Sequence, residues 1–332
     1  MAKKSADTIS KSGADIYKKM AAKYPSRLQC RRIPLTDKAL NDGFGGGYPM
    51  AKQVMLYSRE GVGKTNVALA ICKAYCDAGY AVVYMDFENS LVESLIENFG
   101  LTQYEGTLFF LHQDVHTYTD FQNMADAYLD MENLGLIVID SESDIVPDQV
   151  CDGDIQDIQP GLKSRLTSNI QMKYNSQWRS RDIGILWIQQ MRAKFNFGFA
   201  PPGARTEEAA GAKSLKFALD VQVELRVKKQ LSHADTTVYG ADISFIFDKN
   251  KTAPRKKVES TIIYGHGFDP LASLTAALTE FGYLKQDEKL YELHCLLEDK
   301  IIKFKSRTAL YKYFNDNMNK ILDLLKEKHG VE

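Results

Sequence analysis

SREGVGKT at residues 58–65 lies between an apolar stretch, QVMLY at 53–57, and a stretch of helical character at 63–78. A strand that passes through a glycine-containing turn into a helix aims backbone amides and a helix N-terminus at one point, as a bound phosphate requires. In this frame Lys64 would reach the β- and γ-phosphates of a nucleoside triphosphate, and the Thr65 hydroxyl would hold Mg²⁺. Ser58, Arg59, Glu60, Gly61, Val62, Gly63 and Asn66 would form the rest of the loop wall. The strict pattern carries glycine where Ser58 stands. That position is expected to need an unusual backbone angle, which serine would adopt at a cost of about 1 kcal/mol.

Outward from this loop, short apolar runs alternate with helical segments. AVVYMD at 81–86, TLFFLH at 107–112, LGLIVID at 134–140 and GILWIQQ at 184–190 read as strands, with helices expected over 90–99 and 118–131. Continuous apolar strands separated by helices predict an α/β fold with a mostly parallel central sheet covered on both faces. VQVELRV at 221–227, ADISFIF at 241–247 and VESTIIY at 258–264 add a β-rich section, and a helical C-terminal region is expected after about residue 270. The strand at 134–140 delivers Asp140 at its end, where a carboxylate would bind Mg²⁺ directly or through water. The strand at 81–86 is followed by Glu88, which reads either as the carboxylate that polarises an attacking water or as an acid near a helix N-terminus.

Composition narrows the class. Hydrophobic residues make up 44% and charged residues 26% of the 332 residues, which excludes wholesale disorder. No run of about 18 apolar residues suggests a membrane span, and the N-terminus lacks the apolar core of a secretory signal. Five scattered cysteines with no CxxC pair argue for neither zinc nor a disulfide framework and fit a reducing cytoplasm. Lys+Arg 42 against Asp+Glu 43 leaves a net charge of -1, so any polyanion would have to be met by local patches. One is N-terminal: Met1 to Arg32 holds nine Lys/Arg against two Asp/Glu, and 5–23 reads as a short amphipathic helix.

Several of these elements, in register, resemble the RecA family of recombinases, including its phage UvsX branch, over roughly residues 28–284. RIPLTDKAL at 32–40 resembles the stretch upstream of the family's phosphate loop. MDFEN at 85–89 resembles the strand end carrying its catalytic glutamate, here Glu88. GILWIQQMRAK at 184–194 resembles the strand ending in the glutamine that senses the γ-phosphate, here Gln190. KNKTAP at 249–254 resembles the segment whose two lysines, here Lys249 and Lys251, reach the nucleotide of a neighbouring subunit, and IIYGHGFDP at 262–270 puts Tyr264 near the ribose or base.

The resemblance implies a RecA-like P-loop NTPase core over 31–270, a polymerisation arm over 1–30 and a small helical region over 271–332. It implies ATP and Mg²⁺ as cofactors, and a DNA-dependent ATPase that forms helical filaments on single-stranded DNA and exchanges strands with homologous double-stranded DNA. Single-strand-binding and loader proteins would be further partners, with no membrane partner and a cytoplasmic location, the host's if the source is a phage. Two segments resemble the family's DNA-binding loops. The first, 151–168, carries Gly161, Arg165 and Ser168. The second, RAKFNFGFAPPGARTEEAAGAK at 192–213, is expected to be long and without regular structure, and supplies Arg192, Lys194, Arg205, Gly211 and Lys213, with three phenylalanines that would stack on bases or pack at the loop's foot. Lys216 and Phe217 match subunit-interface residues. The alternatives are a ring-forming RecA-fold DNA helicase or motor, and an ATP-binding, DNA-coating paralogue with little hydrolysis, which Ser58 would suit.

Overall fold

Alternation along the central strands decides the layers. In the computed structural model, Val54 and Leu56, Leu136 and Val138, and Leu186 and Ile188 face one apolar cluster. Met55 and Tyr57, Ile137 and Ile139, and Ile185 and Trp187 face a second on the opposite side. A strand buried on both faces must be apolar at consecutive positions, and all seven residues of Leu134–Asp140 are buried. The structure describes residues 15, 18, 30–111, 116–152, 161–193, 207–209, 213–233, 236–287, 290–294, 297 and 300–329.

The chain divides into two units, 1–31 and 32–332. Of the expected N-terminal helix only Asp15 and Lys18 are described, and both are helical. In the larger unit the strands are β1 (Arg32–Ile33), β2 (Tyr48–Pro49), β3 (Gln53–Ser58), β4 (Ala81–Asp86), β5 (Leu108–Leu111), β6 (Leu134–Asp140), β7 (Gly184–Ala193), β8 (Glu207–Ala209), β9 (Val221–Ser232), β10 (Val238–Asn250), β11 (Lys257–Ile263), β12 (Gly267–Phe268), β13 (Leu284–Asp287), β14 (Leu290–His294) and β15 (Ile301–Phe304). The main sheet runs β12-β11-β10-β9-β3-β7-β6-β4-β5, with β8 paired to β7. From β9 to β5 neighbours are parallel, while β9, β10, β11 and β12 pair antiparallel. Helices Lys38–Phe44 and Lys64–Asp77 cover the first face, and Tyr118–Leu129 and Leu162–Ser180 the second.

Two expectations change. The region after 270 is not only helical: helices Pro270–Glu280 and Arg307–His329 share a core with an antiparallel sheet, β13-β14-β15, built on Leu278, Leu284, Leu293, Leu310 and Phe314. The segment at 192–213 is also not structureless at its base. β7 continues to Ala193 and β8 pairs back on it, with Met191 opposite Ala209 and Arg192 opposite Glu208.

Leu186 lies on β7 between β3 and β6 and is fully buried. Leu186→Ala leaves a hole among the strand neighbours, and urea unfolding should show a loss of about 2–5 kcal/mol in stability.

Candidate functional site

The phosphate loop is built where β3 ends. Gly61 and Gly63 sit at φ 70° and 105°, a region that side-chain-bearing residues rarely adopt. Open space surrounds a Cβ built on Gly61, so backbone angle and not crowding asks for glycine there. The helix begins at Lys64 with no side-chain cap and no acid in its first turn, which leaves its positive end available to an anion. Lys64 is buried, and its Nζ donates to Ser58 Oγ at 3.3 Å and to the Arg59 carbonyl at 3.2 Å. Burial pulls its pKa down, against the opposing pull of Asp140, Glu88 and Glu60. Ser58 departs from expectation. It is the last residue of β3 and is not among the residues with positive φ, so serine at this position carries no left-handed strain. Its hydroxyl donates to the Arg59 carbonyl at 2.6 Å.

Parallel pairing brings three further strand ends to this loop. Ser58 is in register with Gln190, and Asp140 with Asp86. Asp140 is fully buried; its Oδ2 accepts from Tyr84 OH at 2.7 Å and from Thr65 Oγ1 at 3.4 Å, while Oδ1 has no hydrogen-bond partner among the described residues. Burial pushes its pKa up to about 7; the Tyr84 hydrogen bond opposes this, and Glu88 and Asp86 add to it. A buried carboxylate oxygen without a donor, beside a threonine hydroxyl and a phosphate loop, suits a hard divalent cation such as Mg²⁺. Asp86 accepts from the amides of Ser90 at 3.3 Å and Leu91 at 2.9 Å, closing a turn in which Asn89 has φ 52°. The Glu88 amide donates to the Asp140 carbonyl at 3.0 Å. The Glu88 side chain, open to solvent on one side, accepts from Gln190 Nε2 at 3.1 Å, and its pKa is raised by partial desolvation on the side facing the site and then by Asp144, against Lys64 and Gln190. The next helix starts only at Glu93, so Glu88 lies outside its first turn. Tyr264 is close by, since the amide of Gly265 donates to Asn66 Oδ1 at 3.2 Å.

A second group lies elsewhere. Lys249 and Asn250 pair with Gln222 and Val221, and Val221 pairs with Val54 near the start of β3. The phosphate loop leaves the other end of that strand, roughly 15 Å away at about 3.3 Å per residue. Asn250 Oδ1 accepts from the Thr252 and Ala253 amides and holds the turn that follows Lys249 and contains Lys251. Lys249 Nζ donates to the Lys216 carbonyl at 2.9 Å, and Lys251 Nζ lies 3.9 Å from Asp220. Beside them Phe217 is 82% exposed.

Of the first expected DNA segment, Gly161 caps helix Leu162–Ser180 at φ 79°, Arg165 is exposed, and Ser168 Oγ donates to the Ser164 carbonyl at 2.9 Å. Of the second, Arg192 lies on β7 and Lys213 opens helix Lys213–Ala218. Lys194, Arg205, Gly211 and the three phenylalanines lie outside the described residues. Sequence reasoning did not single out Tyr84, Asp86, Asp144, Glu142 or Gln189. The alternation of β4 alone offered a signal for Tyr84, two residues before Asp86 and on the same face of the strand.

These strand ends around a glycine loop define a P-loop nucleotide-binding α/β protein. The family model of the RecA N-terminal domain matches residues 16–269. The chain is similar to the protein RecA of Limosilactobacillus reuteri, 28% identical over 298 residues covering 89% of this chain and 78% of that one. It is also similar to the protein RecA of Mycoplasma mycoides, 27% identical over 295 residues covering 88% and 80%. To that of Treponema pallidum it is 30% identical over 248 residues, covering 74% and 59%. The chain belongs to the RecA family, whose members act in DNA recombination and repair and bind ATP and DNA. Among the described residues no helix is long and apolar enough to cross a membrane.

Asp140 also sets a pH dependence. A carboxyl whose folded pKa exceeds its unfolded value contributes stability that is complete below the unfolded value and is lost as pH rises through the folded one. In EDTA, wild type should lose thermal stability relative to Asp140→Asn as pH climbs from about 4 through about 7. A pH-independent difference in melting temperature between the two would contradict this.

Proposed function

We propose that this chain is an ATP-dependent DNA recombinase that polymerises on single-stranded DNA into helical filaments and catalyses homologous pairing and strand exchange. The observation that carries the reading is the separation of the two cationic groups. Lys64 lies past the C-terminal end of β3, while Lys249 is level with Met55 in its first half and Lys251 follows beside Asp220. The lysine pair thus sits away from the same chain's phosphate loop, and a second copy offering its lysines would complete the site. Head-to-tail contact of this kind does not close on itself unless the rotation happens to make a ring.

Bound ATP would supply the phosphoanhydride whose cleavage resets the assembly. Lys64, the loop amides and the helix N-terminus would bind its phosphates, and Thr65 and Asp140 would hold Mg²⁺. Glu88, with its raised pKa, is suited to orient water and take up its proton. Gln190, hydrogen-bonded to Glu88 and three residues from the end of β7, would pass the state of the site to the segment that follows that strand. Tyr264 would line the ribose or base. Gly161, Arg165, Ser168, Arg192, Lys194, Arg205, Gly211 and Lys213 would line the DNA path, and Lys216 and Phe217 the subunit contact.

ATP hydrolysis should rise with single-stranded DNA, filaments should be visible by electron microscopy, and strand exchange should follow. Absence of both stimulation and filaments would sink the reading. Glu88→Gln should assemble with ATP but not turn over. Lys64→Ala and the double variant Lys249→Ala/Lys251→Ala should each be inactive. Mixed one to one, they should regain about a quarter of wild-type turnover, because a random polymer restores one complete site in four. No recovery on mixing would place the lysines' role within one chain.

A further inference from the structure

Behind the nucleotide groups lies a buried polar network that the proposed catalysis does not use. Glu142, two residues after Asp140, is 0% exposed, as are Thr167 and Gln189. Its Oε1 accepts from Thr167 Oγ1 at 2.7 Å and its Oε2 from Gln189 Nε2 at 3.0 Å. Thr167 Oγ1 also lies 2.8 Å from the Tyr118 hydroxyl. Burying a carboxyl is costly unless it is fully hydrogen-bonded, and an apolar residue would fill such a site more cheaply. Packing alone therefore does not account for it.

The positions it joins do. Gln189 and Gln190 are adjacent on β7 and point to opposite faces, Gln190 to Glu88 and Gln189 to Glu142. Thr167 sits in the second turn of helix Leu162–Ser180, between Arg165 and Ser168. The same helix is held a second time by Lys163, whose Nζ donates to the Ser143 carbonyl. Among the described residues Gln189 Oε1 has no hydrogen-bond partner, so the amide is held on its donor side alone.

We propose that Gln189, Glu142 and Thr167 form a tether that transmits the nucleotide state at the ends of β6 and β7 to the helix bearing Arg165 and Ser168. Thr167 and Glu142 are then positioning residues for DNA binding, acting through that helix. The inference rests on the proposed ATP-dependent DNA binding. It adds a route through the buried face of β7, separate from the segment that follows the strand. Breaking hydrogen bonds between fully buried groups leaves polar atoms unpaired at high cost, so a shift of the strand end favours movement of the helix with it.

The test measures single-stranded DNA affinity with and without a non-hydrolysable ATP analogue, alongside analogue affinity, DNA-independent ATPase and melting temperature. Thr167→Val keeps the shape and removes the hydroxyl. It should leave analogue affinity and basal turnover within about twofold of wild type, while the factor by which the analogue tightens DNA binding falls at least about fivefold. Thr167→Ser should restore that factor. If Thr167→Val is insoluble, Tyr118→Phe, which removes the network's outer hydroxyl, should lower the same factor in the same direction. An unchanged factor in the variant, or failure of Thr167→Ser to restore it, overturns the tether while leaving the recombinase reading intact. A wild-type chain whose DNA binding does not respond to the analogue overturns both.

Discussion

The site is organised around one buried carboxylate with a free oxygen. Asp140 ends a strand that is apolar and buried throughout, so its charge is carried into the protein by residues that cannot solvate it. Tyr84 and Thr65 donate to one oxygen, and among the described residues the other accepts no hydrogen bond. Asp86 and Glu88 press on it with like charge, and Lys64 is the cation that opposes them. Asp86 is held at the same level by amide donors from the turn beyond it. The result is a gap with an electropositive helix end and lysine on one side and carboxylates on the other. Such a gap is best relieved by an anion and a divalent cation arriving together.

Strand direction then determines what one chain can do alone. Because β3, β7, β6 and β4 are parallel, their C-terminal ends meet, and each contributes one polar group at the same level. β10 runs antiparallel to β9 and so reaches the opposite end of the sheet as it arrives at Lys249. Tyr57, one residue before the phosphate loop, donates a hydrogen bond to Asp248, one residue before Lys249. That bond ties β3 to β10 across the intervening β9. In the proposed filament, the antiparallel half of the sheet would present these lysines to a neighbouring subunit.

What was legible in the sequence follows from signal strength. LGLIVID and AVVYMD contrast so sharply with their flanks that both strand bounds were read as they occur. The C-terminal sheet escaped because LKQD, LYELH and IIKF are short, half-exposed and charged, and so resemble loop. β8 escaped because Glu-Glu-Ala has no β-branched or aromatic residue and becomes a strand only by pairing with β7. Gln190 was named and Gln189 was not, although they are identical neighbours. Which face each meets depends on the phase of the strand, and the resemblance marked only one. Nothing about Glu142 in the sequence distinguishes a buried acid from a surface one, since its partners come from residues 25 and 47 positions away. The strain expected at Ser58 came from a pattern rule. The actual turn places its positive backbone angles at Gly61 and Gly63.

The near-zero net charge also takes on a different meaning. Many cations in this chain are held by the chain itself: Arg179 and Lys251 by Asp220, Lys228 by Glu259, Lys173 by Asp126. Such pairs contribute to the sum without creating a field at a distance. Lys249 differs. Its hydrogen-bond partner is a carbonyl, and burial followed by the charge of Lys251 pulls its pKa down. The charge of Asp220 opposes this shift, and in the proposed filament a phosphate brought by a second copy would oppose it further. In the proposed filament, a cation destabilised in the free subunit and stabilised at a joint would make assembly depend on the nucleotide there, a local dependence that whole-chain charge does not report.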